Sequence, residues 1–199
     1  MYDVAVELGG ALAVLATSVG DGTPPSATID FAGLGTVRSK DRKADRYLAG
    51  RFDSEIPFPA KLLILMLDGE LQAVESVLPL TEGIYAESVF RARYVTLFHV
   101  TRTLKAVLSA YPRARSAGSR RLRDVLDEPP TQEFLGGDGS RRLRNRCMHY
   151  EIRDRDLQLR TDLPMSGLVE SLIPDKSYHE AAIDSSALAP RLAAILSEW

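Results

Sequence analysis

The stretch ESVFRARYVTLFHVTRTLKAVLSAY, residues 87–111, decides the fold class of this chain of 199 residues. Apolar side chains recur in it every three or four positions, which is the spacing of one face of an α-helix. The spacing predicts a helix over about 85–111 that ends before Pro112. Its buried face is expected to comprise Val89, Phe90, Tyr94, Leu97, Phe98, Thr101, Leu104 and Leu108.

A second long helix is predicted just before it, over residues 60–78. The segment AKLLILMLDGELQAVESVL contains no proline, and Pro79 follows it directly. Because only a short connection separates the two helices, they are expected to pack antiparallel. The expected buried face of this helix is Leu63, Met66, Leu67, Leu71, Val74 and either Val77 or Leu78.

Shorter helices are predicted on both sides of this pair. Ser39 is expected to cap a short polar helix, and residues 119–128 predict a helix that Pro129 and Pro130 end. Residues 132–140 are expected to form a loop. An N-terminal helix is indicated by the stripe Val4, Leu8, Leu12, Leu15 and Val19.

The chain end is predicted to be helical as well, with a last helix that begins close to Pro190. The period-2 alternation of strands is nearly absent, so the fold class is predicted to be all-α, as an antiparallel helical bundle. The predicted division is an extension over 1–56, a bundle core over 57–160, and a helical segment over 161–199 that packs on the core. The last helix is expected to bury Leu192, Ile195 and Trp199.

Composition narrows the function classes. The formal net charge of -2 excludes a uniformly basic nucleic-acid-binding protein, so any such affinity must come from a local patch. The single cysteine, Cys147, excludes an intrachain disulfide and a multi-cysteine zinc site, which fits a reducing, cytoplasmic location. The longest apolar run, residues 62–67, is too short to span a bilayer, so no membrane association is expected. No metal or cofactor motif is present, and none is expected to bind.

Residues 140–156, SRRLRNRCMHYEIRDRD, carry the strongest functional signal. Four arginines lie within 141–146 with no acidic residue among them, and a histidine follows at position 149. Arginine is suited to bidentate phosphate binding, and histidine to proton transfer near neutral pH. Over 111–146, nine arginines against five acidic residues leave an excess of four positive charges. The pattern favours recognition of a phosphate.

The simpler interpretation is a solvated helix face. On a helix over 140–152, capped by Asp138 or Ser140, the arginines would point to water while Leu143, Cys147 and Tyr150 face the core. Arg144 and His149 are five residues apart, so they diverge by about 140° on an ideal helix. To converge on one phosphate, Arg144 would have to reach around the helix with its long side chain, or meet a histidine from a second subunit related by a two-fold axis.

The segment LRNRCMHYE resembles the signature of the HEPN superfamily of all-α domains, in which four to six residues separate an arginine from a histidine. The resemblance covers Arg144 to His149, with Asn145 as the polar residue that often follows the arginine. It implies a dimerising bundle and, in many members, a metal-independent endoribonuclease of toxin–antitoxin or antiviral defence systems.

The resemblance implies a role for each residue of the motif. Arg144 and His149 would form the catalytic pair, with Asn145 in support, while Arg141, Arg142, Arg146 and Tyr150 bind substrate. The ribose 2′-hydroxyl would attack the adjacent phosphodiester, so that RNA and not DNA is the substrate. A homodimer is expected, with an antitoxin or a defence-system protein as further partner.

Two other interpretations remain open at this stage. The chain could be a non-catalytic HEPN-like module that binds a nucleotide or an acidic partner through the same arginines. It could also be a helical interaction domain in which the motif is accidental. His99, in the middle of the long helix, is expected to be a packed or hydrogen-bonded residue of the bundle.

Overall fold

The computed structural model describes residues 43–77, 82–149, 157 and 159–199. Over those residues the chain consists of α-helices joined by short turns, and no β-strand occurs among them. The all-α fold class is therefore confirmed, whereas the finer HEPN-like bundle stays a prediction. The predicted N-terminal stripe and the predicted cap Ser39 lie outside the described residues.

Eight α-helices make up the described part of the chain. None of them is both long and apolar enough to cross a membrane. A four-residue turn, Pro164–Gly167, precedes α7. The helices are α1 Ala44–Arg51, α2 Phe58–Val77, α3 Glu82–Ala110, α4 Ala117–Asp127, α5 Pro129–Leu135, α6 Asp138–Met148, α7 Leu168–Leu172 and α8 Tyr178–Ser197.

Helix α3 is the centre of the fold, and it contacts α2, α4, α5, α6 and α8. All eight side chains predicted for its buried face are buried. The helix begins slightly earlier than predicted, with a kink at Tyr85, whose φ of -128° and ψ of 40° are not helical. A strict division into apolar and polar faces makes this element predictable from the sequence.

The buried face of α2 differs from the prediction. Leu63 and Met66 are exposed, at 38% and 64%, while the predicted Leu67, Leu71 and Val74 are buried together with Ile64. The segment is apolar nearly all the way round, so the helical period does not identify which side meets the core.

Helices α2 and α3 are antiparallel, as two electrostatic contacts show. Arg93 Nε of α3 lies 3.7 Å from Glu75 Oε1 of α2. Glu70, earlier in α2, acts electrostatically on His99, later in α3. Earlier residues of α2 therefore lie beside later residues of α3.

Two proline-containing segments were predicted wrongly. Pro129 and Pro130 do not only end α4, because they also open α5, which occupies part of the predicted loop. Proline suits the first turn of a helix, where its missing N–H would have no intrahelical partner. Helix α8 begins at Tyr178, where Ser177 and Glu180 form a capping box, and Pro190 lies inside it instead of near its start.

The limits of α6 also differ from the prediction. Its N-cap is Gly137, with no side-chain cap, and Asp138 is its first residue. Ser140 does not cap the helix, because its Oγ donates a hydrogen bond of 2.9 Å to the carbonyl oxygen of Phe134. The helix ends at Met148, earlier than the predicted 152, and His149 is the C-cap.

Buried contacts hold the start of α6 in place. The hydroxyl of Tyr94, on α3, donates to the carbonyl oxygen of Ser140 at 3.2 Å, with the carbonyl oxygen of Phe134 at 3.4 Å. On the other side, a Cβ added to Gly139 would lie only 1.8 Å from the carbonyl oxygen of Leu172, at the end of α7. The first turn of α6 therefore fits tightly between α3 and α7.

Asp53, between α1 and α2, joins distant parts of the chain. Its carboxylate accepts hydrogen bonds from the backbone N–H groups of Arg115 and Ser116, from the hydroxyls of Ser116 and Ser119, and from Trp199 Nε1. Although burial alone would raise the pKa of Asp53, these donors outweigh it and hold the pKa well below the ordinary value of 3.8.

Trp199 closes the C-terminal end of the bundle. Its ring packs edge-on against Phe52, with centroids 5.4 Å apart. It also lies directly over Gly118 of α4, where an added Cβ would be 2.8 Å from the indole Cγ. The indole is half-buried between α1, α4 and α8.

Replacing Gly139 by alanine is expected to destabilise the protein by about 1–3 kcal/mol, because the new methyl group must displace backbone of α7. Gly69→Ala is the matched control, since no atom lies within 4 Å of its added Cβ and alanine favours the helix. Urea unfolding measures the free energy of unfolding of wild type and of both variants. Equal stability of Gly139→Ala and wild type would contradict the tight fit.

Asp53→Asn is expected to lower the free energy of unfolding at pH 7 by about 2–3 kcal/mol, because charge-assisted hydrogen bonds are removed. A depressed folded-state pKa stabilises the protein above the unfolded value, here 3.8, and this contribution disappears as the pH falls toward the folded value. The difference between wild type and variant should therefore narrow below about pH 4. Asp124→Asn, at an exposed position, should show no such dependence.

Candidate functional site

Helix α6 lies along α3 in the opposite direction, which places the arginine–histidine motif against α3. Near the start of α6, Arg141 lines a cavity together with Arg102 of α3. Near its end, Cys147 and Met148 line a cavity of about 380 Å³ together with Ser88, earlier in α3. The middle of α6 therefore lies beside the middle of α3.

Arg144 is held by its surroundings and does not extend freely into solvent. Its Nη1 donates a hydrogen bond of 2.8 Å to Asn145 Oδ1. Its guanidinium carbon lies 5.5 Å from the ring centroid of Phe98, which is a cation–π arrangement. Arg144 Nε is buried, and among the described residues it has no hydrogen-bond partner. The guanidinium is thus oriented toward α3.

His149 lies at the end of the helix and is exposed. Its backbone N–H donates to the carbonyl oxygen of Asn145 at 2.8 Å, and its backbone is extended, with φ -125° and ψ 122°. Among the described residues, no hydrogen bond or ion pair connects the side chains of Arg144 and His149. The structure joins Arg144 with Asn145, and leaves the imidazole of His149 open to solvent.

The predicted substrate-binding residues lie in different environments. Arg141 is exposed and forms an ion pair of 2.7 Å with Asp138. Arg142 and Arg146 are half-buried, and both interact with other groups of the protein. Tyr150 lies outside the described residues. Arg141 lines the cavity beside Arg102, whereas Arg142 and Arg146 are engaged by other groups, so these arginines differ in their environment.

His99 is the imidazole that the structure brings toward Arg144. It is half-buried on α3, and burial is the largest cause that lowers its pKa. The charges of Arg144 and Arg102 lower that pKa further, and the carboxylate of Glu70 opposes them. Glu70, His99, Arg102 and Arg144 are named here the His99 cluster. Burial and the two guanidinium groups therefore favour the neutral imidazole.

Sequence reasoning assigned His99 to packing and did not find this cluster. The available signal was the recurrence of His99, Arg102 and Lys105 at intervals of three in the C-terminal half of α3, which marks one polar stripe. The electrostatic effect of Glu70 and Arg144 on His99 could not be predicted from this stripe, because it depends on how α2, α3 and α6 pack together.

Cys147 is not suited to nucleophilic chemistry. Burial raises the pKa of its thiol to about 12, and the nearby Arg91 opposes this only in part. The thiol is therefore protonated at neutral pH. Its position against the core agrees with the face predicted for it.

No group of three or more potential metal ligands lies together within the described ranges. Neither a protein-family model, nor a curated protein, nor a solved structure matches this chain. Membership of the HEPN superfamily therefore stays a prediction that rests on the motif.

Arg144→Gln is expected to raise the pKa of His99, because a nearby positive charge is removed. Glu70→Gln is expected to lower it, because the variant no longer has the carboxylate that favours the imidazolium. NMR titration of the imidazole resonances measures both shifts. Arg113→Gln, at an exposed position, is the control, and an unchanged His99 pKa in Arg144→Gln would show that the two groups are not coupled.

Proposed function

We propose that this chain is a metal-independent endoribonuclease of HEPN type that acts in the cytoplasm as a homodimer. The observation that carries the proposal is the hydrogen-bonded pair Arg144–Asn145, fixed on the same helix whose C-cap is the exposed His149. A positioned guanidinium and an accessible imidazole are the two groups that metal-free phosphodiester cleavage requires.

In the proposed reaction the ribose 2′-oxygen attacks the adjacent phosphorus and the bond from phosphorus to the 5′-oxygen breaks. His149 transfers one of the two protons, either by removing that of the 2′-hydroxyl or by supplying that of the leaving 5′-oxygen, and water exchanges the other. Arg144 stabilises the negative charge that develops on the phosphoryl oxygens, with Asn145 holding the guanidinium. The products are a 2′,3′-cyclic phosphate and a free 5′-hydroxyl.

The homodimer is part of the proposal because Arg144 faces α3, while His149 points away at the helix end. A two-fold axis near α6 would bring the His149 imidazole of one subunit toward the Arg144 of the other. The exposed Met148, at 49%, and the adjoining cavity beside Ser88 supply apolar surface for such an interface. A toxin or defence role, with an antitoxin or other defence protein as partner, is the biological setting that the resemblance favours.

A second candidate is a non-catalytic module that binds RNA or a nucleotide. The observation that favours it is the engagement of Arg144 by Phe98 and Asn145, which is also what a purely structural arginine would show. It predicts RNA binding without cleavage products.

The test is cleavage of a labelled single-stranded RNA in the presence of a chelator. His149→Ala and Arg144→Gln are each expected to lower the rate by about 10²–10⁴, the usual contribution of a proton-transferring or charge-stabilising residue. DNA of the same sequence is expected to remain intact, because it lacks the 2′-hydroxyl. Arg113→Gln is the matched control for removal of one positive charge.

The outcomes separate the candidates. Wild-type rates in both variants would exclude the catalytic roles, and binding without products would favour the non-catalytic module. His99→Ala is measured in parallel. Loss of cleavage in that variant with retention in His149→Ala would transfer the proton-transfer role to the His99 cluster.

A further inference from the structure

Two adjoining cavities lie along the C-terminal half of α3. The first, of about 430 Å³, lies between α3, α5 and the start of α6. The second, of about 470 Å³, lies between α3 and α4. Both are lined by Lys105 and Gln132, so they adjoin at these two side chains; together they are named here the α3 groove.

The α3 groove is positively charged although the chain is net negative. Its two acidic residues are Asp127 and Asp138, and Asp138 is already ion-paired with Arg141. Its basic residues are Arg102, Lys105, Arg123 and Arg141. The groove therefore carries an excess of two positive charges, which favours an anionic ligand.

Arg102 and Lys105 are available to such a ligand. Within the described part of the chain, neither has a hydrogen-bonded side chain or an ion-pair partner within 4.0 Å. They are three residues apart on α3 and so project on the same side of the helix. Burial lowers the pKa of Lys105, with Asp127 opposing, so an anion nearby would offset the cost of holding this ammonium in the groove.

The rest of the lining indicates recognition of phosphates and not of bases. Phe98, the aromatic side chain in the lining, is buried beneath the guanidinium of Arg144 and offers no free face for stacking. Arg123 is fixed by donating to the carbonyl oxygens of Ala114 and Tyr111, so its charge stays at the far end of the groove. A positively charged groove that follows the backbone is one component of sequence-independent single-strand recognition, and base stacking is the other. The lining supplies the first component only, so the expected contacts are to phosphates.

The shape of the groove favours a strand over a single anion. From Arg102 to Ser109 it follows α3 for about 10 Å, at about 1.5 Å of rise per residue. Arg141 and Arg123 extend the row of charge beyond Arg102 and Lys105 toward both ends. A compact anion would bind the basic residues at one end of the groove only, whereas successive phosphates of a strand can bind basic residues along its whole length.

We propose that the α3 groove binds the phosphate backbone of single-stranded RNA, apart from the residues that would cleave it. The proposal rests on RNA being the ligand, as in both candidate functions above, and does not depend on catalysis. Arg102 and Lys105 bind the central phosphates, and Arg141 leads the strand from the groove toward α6.

The experiment measures binding of a fluorescent 2′-O-methyl oligouridylate by anisotropy, because this strand keeps its phosphates but cannot be cleaved. The double variant Arg102→Gln/Lys105→Gln is compared with wild type. The matched control is Arg46→Gln/Arg120→Gln, which removes two positive charges at exposed positions outside the groove. Thermal unfolding verifies that all three proteins are folded.

The groove variant is expected to bind the strand at least about tenfold more weakly than wild type, whereas the affinity of the control variant stays close to the wild-type value. The slope of log affinity against log salt should become shallower by about 1.4, that is, about 0.7 for each phosphate that the variant no longer neutralises. Equal weakening in groove variant and control, or no weakening in either, would overturn the proposal. Displacement of the strand by stoichiometric ADP or inorganic phosphate would overturn it as well, in favour of a small ligand.

Cleavage by the same proteins separates this proposal from the nuclease. Binding of the 2′-O-methyl strand by His149→Ala is measured beside its cleavage of unmodified RNA. If the groove variant binds with wild-type affinity and His149→Ala is inactive, the nuclease proposal is retained and the α3 groove is rejected as the binding site. The reverse result would leave the groove as the binding site of a non-catalytic module.

Discussion

The buried hydroxyl of Tyr94 is the interaction on which the position of the candidate site depends. It donates into the junction of α5 and α6, where the carbonyl oxygens of Ser140 and Phe134 would otherwise lack this partner in the core. Burial is the main cause that raises the pKa of Tyr94, so the group remains a neutral donor over the whole physiological range. Because α6 starts from this anchor, the direction of the helix along α3 and the side on which Arg144 emerges are both determined there.

Helices were predictable wherever one side of the sequence pattern was polar. The long helix α3 has such a pattern, and its buried face was predicted residue by residue. Helix α2 lacks it, so Met66 was predicted as buried and is exposed at 64%. Pro129 and Pro190 were predicted as helix boundaries. Pro129 instead occupies the first turn of α5, where proline is compatible with a helix, and Pro190 lies inside α8, which starts upstream at the capping box of Ser177 and Glu180.

The site was predictable only as a linear motif. Its spacing indicated that Arg144 and His149 diverge on the helix, and in the described part of the chain no hydrogen bond or ion pair joins their side chains. It did not indicate that Arg144 packs on Phe98 or that His99 shares its electrostatic environment, since both depend on which face of α6 meets α3. The α3 groove could not be predicted from the sequence either, because its basic residues come from separate segments that only the packing of the helices brings together.

Trp199 is the only tryptophan of the chain, and its setting makes it a built-in optical reporter. The indole is pressed edge-on against Phe52 and donates its N–H to the carboxylate of Asp53. If the end of α8 detaches from α1 and α4, the indole becomes exposed to water, and its fluorescence emission should shift to longer wavelength. Fluorescence can therefore follow the detachment of one helix end separately from the decrease in helical content seen by circular dichroism.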